Sequence, residues 1–211
     1  MRDRMGTVAL AVTLAKRRMI MACRYGRLAP KPFERAWIRP TSIEEALVKG
    51  FRPRDAAGLV SGGDWDLAVR PIEDVPHVRQ GLARWRNGLD WEATGAYQDM
   101  LTLIAERGGN HHGCSTLDDV VERYRNLDAV FDQVAHEGRL RSRSQLGGRF
   151  REHGGVQIHI GRAGQPIFNG WGGCHRIAMA LALGLPSMPV QVGVAHAAAP
   201  RRWRLLLQDG L

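Results

Sequence analysis

Between Val156 and Val194 the apolar residues change period from two to helical and back, and this succession constrains the fold more than any other stretch of the chain. Val156, Ile158 and Ile160 alternate with Gln157 and His159, the period-two pattern of a half-buried strand. Gly161-Arg162-Ala163-Gly164 turns the chain, and Gln165 to Phe168 returns as a partner strand. After Asn169-Gly170-Trp171-Gly172-Gly173 the pattern becomes helical from Cys174 to Leu183. Gly184 closes that helix, and Pro186 forbids its continuation. Met188 to Val194 then reads as a further buried strand.

Upstream, Pro30-Lys31-Pro32 separates a basic N-terminal arm or amphipathic helix, residues 1–29, from a single domain over 30–211. Phe33 to Arg39 reads as a short strand stopped by Pro40. Thr41-Ser42-Ile43-Glu44 has capping-box form and predicts a short helix through Lys49. Leu59-Val60 and Leu67 to Ile72 read as strand pieces around a glycine-rich turn. A helical insertion occupies about 76–138: one helix from Pro76, a second from Thr94 to Ile104, and a third opened by Ser115-Thr116-Leu117-Asp118. In the third, Leu117, Val120, Tyr124, Leu127, Phe131 and Val134 share a face until Gly138 ends it. Arg201 to Leu207 reads as a final amphipathic helix or edge strand.

The charge balance enters where ligands are considered. Lys and Arg number 30 against 21 acidic residues, a net +9, and only Lys16, Lys31 and Lys49 are lysines. Arginine's planar fork suits phosphate and carboxylate, so a nucleotide, nucleic acid or anionic surface would be attracted; the plain alternative is a GC-rich genome that favours arginine codons. Cys23, Cys114 and Cys174 are widely spaced and form no C-x-x-C pair, which argues against a zinc finger or disulfide framework. The apolar run Met5 to Ala15 is shorter than the ~20 residues that cross a bilayer. It runs into Lys16-Arg17-Arg18 instead of a small-residue cleavage site. A cytoplasmic protein with reduced thiols and no membrane span is expected.

Chemistry concentrates at the strand–turn–helix unit. A helix start leaves backbone N–H groups unpaired and carries partial positive charge. Gly172 and Gly173 permit close approach of a ligand, and Arg176 stands one turn in, placed to fork onto an anion. The alternative is an ordinary tight turn whose glycines serve packing. Gly172-Gly173-Cys174-His175-Arg176, the alanine-rich helix, Gly184-Leu185-Pro186 and Met188-Pro189-Val190-Gln191-Val192 together resemble the ParB/sulfiredoxin superfamily, in an uncharacterised ParB-like branch. The resemblance covers Val156 to Val194, and Trp37-Ile38-Arg39-Pro40 stands where the family's opening strand would be. It implies an α+β fold on a small mixed sheet of ParB/sulfiredoxin type, carrying here the helical insertion and the N-terminal arm or helix. It also implies phosphates of ATP, ADP or CTP on the backbone of Gly172, Gly173, Cys174 and His175, with Arg176 neutralising charge. The long helical insertion departs from sulfiredoxins, and the motif's place near the end of the chain departs from ParB proteins.

Cys174, beside His175 and Arg176 at a helix start, is expected to have a lowered pKa. The resemblance makes it a redox-repair nucleophile in the sulfiredoxin branch and a bystander in the ParB branch. His175 is a candidate general acid or base. His159 reads most simply as a solvent-facing strand histidine. Asp64 and Asp66, in Gly62-Gly63-Asp64-Trp65-Asp66, are candidate Mg²⁺ ligands or a general base; the plain alternative is a polar turn anchored by Trp65. His111-His112-Gly113-Cys114 has metal-capable atoms but no fourth ligand. Arg139, Arg141, Arg143 and Arg149, or Arg201, Arg202 and Arg204 around Trp203, would suit nucleic acid or a solvated surface. Three function classes stand. The first is a nucleotide-binding protein that hydrolyses a nucleotide or transfers its phosphoryl group. The second is a DNA-associated ParB-like binding protein or nuclease, and the third is redox repair through Cys174.

Overall fold

The structure is a computed structural model describing residues 2–146 and 155–208. The fold is mixed α+β, with one open mixed sheet. The sheet runs β1 (Glu34–Ile38), β7 (Met188–His196), β5 (Gln157–Ile160), β6 (Pro166–Phe168), β2 (Glu45–Leu47) and β4 (Val69–Pro71), and β3 (Val60–Ser61) adds to the far end of β7. β5 and β6 form the expected antiparallel hairpin, while β7 lies parallel to β5 after the crossover through α6 (Cys174–Ala182). A nine-residue strand whose every position is buried is what a central strand requires, and β7 has that pattern. β5 is likewise buried at all four residues. The expected alternation therefore misreads it: Gln157 and His159 lie inside the molecule because both faces of the sheet are covered.

Helices α1 (Arg2–Tyr25), α2 (Pro53–Ala56) and α7 (Trp203–Gln208) surround the sheet's first strands, with α7 packed on β1. The insertion holds α3 (Pro76–Trp85), α4 (Ala96–Glu106) and α5 (Leu117–Glu137). Gly138 closes α5 in a left-handed conformation, and its capping box is Thr116 with Asp119, one residue later than the sequence suggested. There the Asp119 carboxylate accepts from the backbone N–H of both Ser115 and Thr116. The predicted helix after Thr41 is absent: a single 3-10 turn at Pro40–Ser42 leads into β2. Pairing of β2 with both β4 and β6, and burial of Ala46 and Leu47, outweigh the weak local cap. None of the helices among the described residues is long and apolar enough to cross a membrane.

Two apolar cores result. The larger joins sheet, α3, α6 and α7 around Ile38, Phe168, Ile177 and Trp203. The smaller, around Trp91, Met100, Ile104 and Tyr124, belongs to the insertion, and Trp85 and Leu127 touch both. Gly81 of α3 lies so close to Ala178 of α6 that a Cβ there would stand 2.6 Å from the alanine methyl. The insertion thus clamps onto the helix that follows the glycine turn.

Candidate functional site: a cationic cavity at the start of α6

Asn169, the last residue before the glycine turn, is fully buried, and both ends of its side-chain amide are hydrogen-bonded. Its Oδ1 accepts from the backbone N–H of Phe51 at 2.8 Å, and its Nδ2 donates to the Phe51 carbonyl at 3.1 Å. His159 completes the network. Its Nδ1 accepts from the Val194 N–H at 2.9 Å, which leaves the proton on Nε2 to reach Asn169 Oδ1, also at 2.9 Å. Burial lowers the pKa of His159 to about 4, so the ring is neutral. This corrects the expectation of a solvent-facing histidine. Gly193 makes room for it: a Cβ there would stand 2.6 Å from the imidazole.

The turn therefore leaves the sheet from a fixed point. Gly172 and Gly173 have φ of +74° and +87°, and a side chain at Gly173 would also meet Val156 Cγ2 at 2.7 Å. No side chain caps α6, so the unpaired N–H groups of its first turn are left to solvent or a ligand. They open onto a cavity of about 680 Å³. Gly170 to His175 form one part of its wall. Val75, Pro76 and His77 come from the start of α3, Met100, Leu103 and Arg107 from the end of α4, His111 and His112 from the next loop, and Arg123 from α5. Two arginines and four histidines face this space, and none of the residues lining it is acidic. A wider groove of about 800 Å³ along α5 sets Asp118, Asp119 and Glu122 beside Arg123 and Arg125, so its charges largely cancel.

His175 packs edge-on among Trp85, Trp91 and Tyr124 and lies 5.6 Å from the ring of His77. Its Nε2 is sealed from solvent without a hydrogen-bond partner among the described residues. Burial, then the nearby charges of His77, Arg123 and His112, lower its pKa to about 3. Burial and the flanking arginines also lower His111 and His112. His111, His112 and His175 thus resist charging because burial and their cationic neighbours disfavour the protonated ring.

Other expected site residues lie elsewhere. Cys174 is buried, and although the N–H groups of Cys174 and Gly172 favour its thiolate, burial wins and pushes the thiol up to about 11. The expected lowering is overturned. Arg176 is not part of the cavity wall: its guanidinium donates to the Arg141 carbonyl, and burial lowers its pKa. Asp64 and Asp66 also lie outside the cavity. Both accept from Arg162, at 2.9 and 2.7 Å, and Asp66 takes the Arg162 backbone N–H as well. The guanidinium occupies the position between the two acids that a cation would need, and its hydrogen bonds hold Asp66 below the usual carboxylate range. Their shared neighbour Trp65 packs against Phe51, His159 and His196, the anchor role considered from sequence. Among the described residues no group of three or more His, Cys, Asp or Glu could hold a metal, His111-His112-Gly113-Cys114 included.

Trp203 is fully buried and donates to the Leu28 carbonyl, while Arg204 stacks over its ring and pairs with Glu34. No exposed indole is left there for a base to stack on. Arg141 pairs with Glu137, and Arg149 lies outside the described residues. His77, Arg107 and Arg123 were missed by sequence reasoning, since each belongs to a helix whose apolar stripe was its only linear signal. No family model, curated protein or solved structure matches the chain.

Proposed function

We propose that this chain binds a nucleoside phosphate, with a phosphate group on the backbone N–H groups of Gly172 to His175. The single observation that carries the reading is the convergence of an uncapped helix start with an acid-free cavity of about 680 Å³. A helix N-terminus offers fixed donors and about half a positive charge to an anion. His175 Nε2, sealed and unpartnered, supplies one more polar atom that a ligand or its bound water would satisfy. The volume is within the range of small-molecule sites, and Val75, Met100, Leu103 and the half-exposed Trp171 give a base or sugar apolar surface. The resemblance to ParB/sulfiredoxin proteins points to the same turn.

The reading is one of binding. Phosphoryl transfer through Mg²⁺ on Asp64 and Asp66 has no part in it, because both acids are engaged with Arg162 away from the cavity. Thiolate chemistry at Cys174 has none either, given its burial.

A thermal-shift comparison of ATP with adenosine tests the proposal. Ligand at a hundred times its Kd stabilises the native state by about 2.7 kcal/mol, so ATP raises Tm and adenosine does not. Gly172→Asp puts a carboxylate at the anion position. Nothing lies within 4 Å of a Cβ there, and aspartate tolerates positive φ better than most residues, so the variant folds and loses the ATP shift. An equal ATP shift in the variant would place the ligand elsewhere.

A further inference from the structure

We infer that the helical insertion builds a second anion subsite, formed by Arg107, His111, His112 and Arg123, which takes the distal phosphates of a nucleoside di- or triphosphate whose first phosphate sits on the glycine turn. The inference rests on the binding reading above and names the ligand class: a polyphosphate chain rather than a single phosphate.

The first support is that Arg107 and Arg123 stand on the cavity wall without an acid among the described residues. Arg70 and Arg176 also have a sealed, unpartnered Nε, but neither lines the cavity, and other arginines are paired. Arg84 pairs with Asp128, Arg162 with Asp66 and Arg204 with Glu34. Arg107 and Arg123 pair with no acid among the described residues, and Arg123 Nε is sealed from solvent with no hydrogen-bond partner. A buried donor of that kind costs stability until something accepts from it. The second support is the loop between α4 and α5. His111 and Cys114 exchange two backbone hydrogen bonds, of 2.9 and 3.0 Å, and close a tight turn. Within it His112 holds a φ of +52°, a conformation that disfavours non-glycine residues. The histidine rings lie 4.0 Å apart, both on the cavity wall. Strain and like-charged neighbours gathered on one wall are what a fixed anion would offset. Third, the two walls share one continuous cavity whose volume of about 680 Å³ far exceeds that of a single phosphate. His77 and His175, 5.6 Å apart by ring centroids, lie among both sets of residues.

Titration calorimetry with AMP, ADP, ATP and inorganic tripolyphosphate, at fixed ionic strength, reads the second subsite directly. Wild type is expected to bind ATP about ten- to a hundredfold more tightly than AMP, the range of one added charge-assisted hydrogen bond, and to bind tripolyphosphate as well. In Arg107→Gln and Arg123→Gln the ratio of ATP to AMP affinity collapses towards one. Arg107 is exposed, so its variant leaves the fold intact, and circular dichroism of both variants checks this. AMP and ATP binding equally in wild type, or the ratio surviving in both variants, would overturn the second subsite and leave the glycine-turn reading standing. Absence of binding to all four probes would overturn both.

Discussion

Cys174 shows how one residue's environment can reverse its chemistry. A helix start favours thiolate, but the side chain is tucked beneath its own turn, and loss of hydration outweighs the dipole. With a pKa of about 11, roughly one thiol in a thousand is ionised at pH 8, and thiolate is the reactive form. Iodoacetamide at pH 8 is therefore expected to modify exposed Cys23 in the native protein and to reach Cys114 and Cys174 only on unfolding. Peptide mapping by mass reads the order, and labelling of Cys174 as fast as Cys23 would restore the redox reading. His159 makes the same point from a strand. Alternation with apolar neighbours suggested water on one side, whereas Gly193 and Asn169 enclose the ring. Which face of a strand is covered depends on elements remote in sequence, so the residue pattern alone had no access to it.

Among the elements, α5 holds the insertion together through one side chain. Asp128 accepts from both nitrogens of Arg84 that face it, at 3.3 and 2.8 Å, and from the indole N–H of Trp85 and Trp91, at 2.8 and 3.1 Å. Trp85 then stacks on Phe131, with rings 5.1 Å apart and nearly parallel. Asp128→Ala leaves two indole donors without their acceptor and Arg84 with only Asp90 and the Leu89 carbonyl. A loss of roughly 2–4 kcal/mol is expected from breaking a largely buried charged network. Asp128→Asn, which keeps an oxygen for the indoles, should cost less. Urea unfolding reads both as lower midpoints at unchanged slope, and an unaltered midpoint for the alanine variant would show that Asp128 does not carry the clamp. The period of apolar residues made α3 and α5 readable in advance, because a helix that packs on one side must repeat its contacts every third or fourth residue. Thr41 to Lys49 misled for the opposite reason: a cap and a few residues cannot outweigh pairing with two neighbouring strands.

For the whole molecule, two enclosed histidines set its response to acid. His159 has a pKa of about 4 and His175 of about 3 in the fold, against about 6.5 for an unfolded chain. Below pH 6.5 the unfolded chain binds protons that the native state refuses. The stability these rings permit is thus full above about pH 6.5 and falls as pH drops towards 4, by up to tenfold in the folding equilibrium per pH unit for each ring. Asp66, Glu34 and Glu137, held below the usual carboxylate range by Arg162, Arg204 and Arg141, lose their contribution lower still. Urea midpoints are expected to decline from pH 7 to 5, before carboxylates titrate. A flat profile over that range would mean both rings accept a proton in place.

The sequence by itself determined the hairpin–turn–helix–strand unit from Gln157 to His196, the three inserted helices and the glycine turn at the start of α6. These are local: each follows from the period of apolar residues or from the backbone freedom of glycine. Only the tertiary structure decided what faces that turn. Arg107, His111, His112 and Arg123 lie far from Gly172 in the chain, and nothing in their own neighbourhoods signals a shared cavity. Arg176 and Asp66 sit in promising local motifs and are spent on Arg141 and Arg162. Charge is long-ranged and indifferent to sequence order, so its pairing is settled by packing, whereas periodicity records only the face that packs.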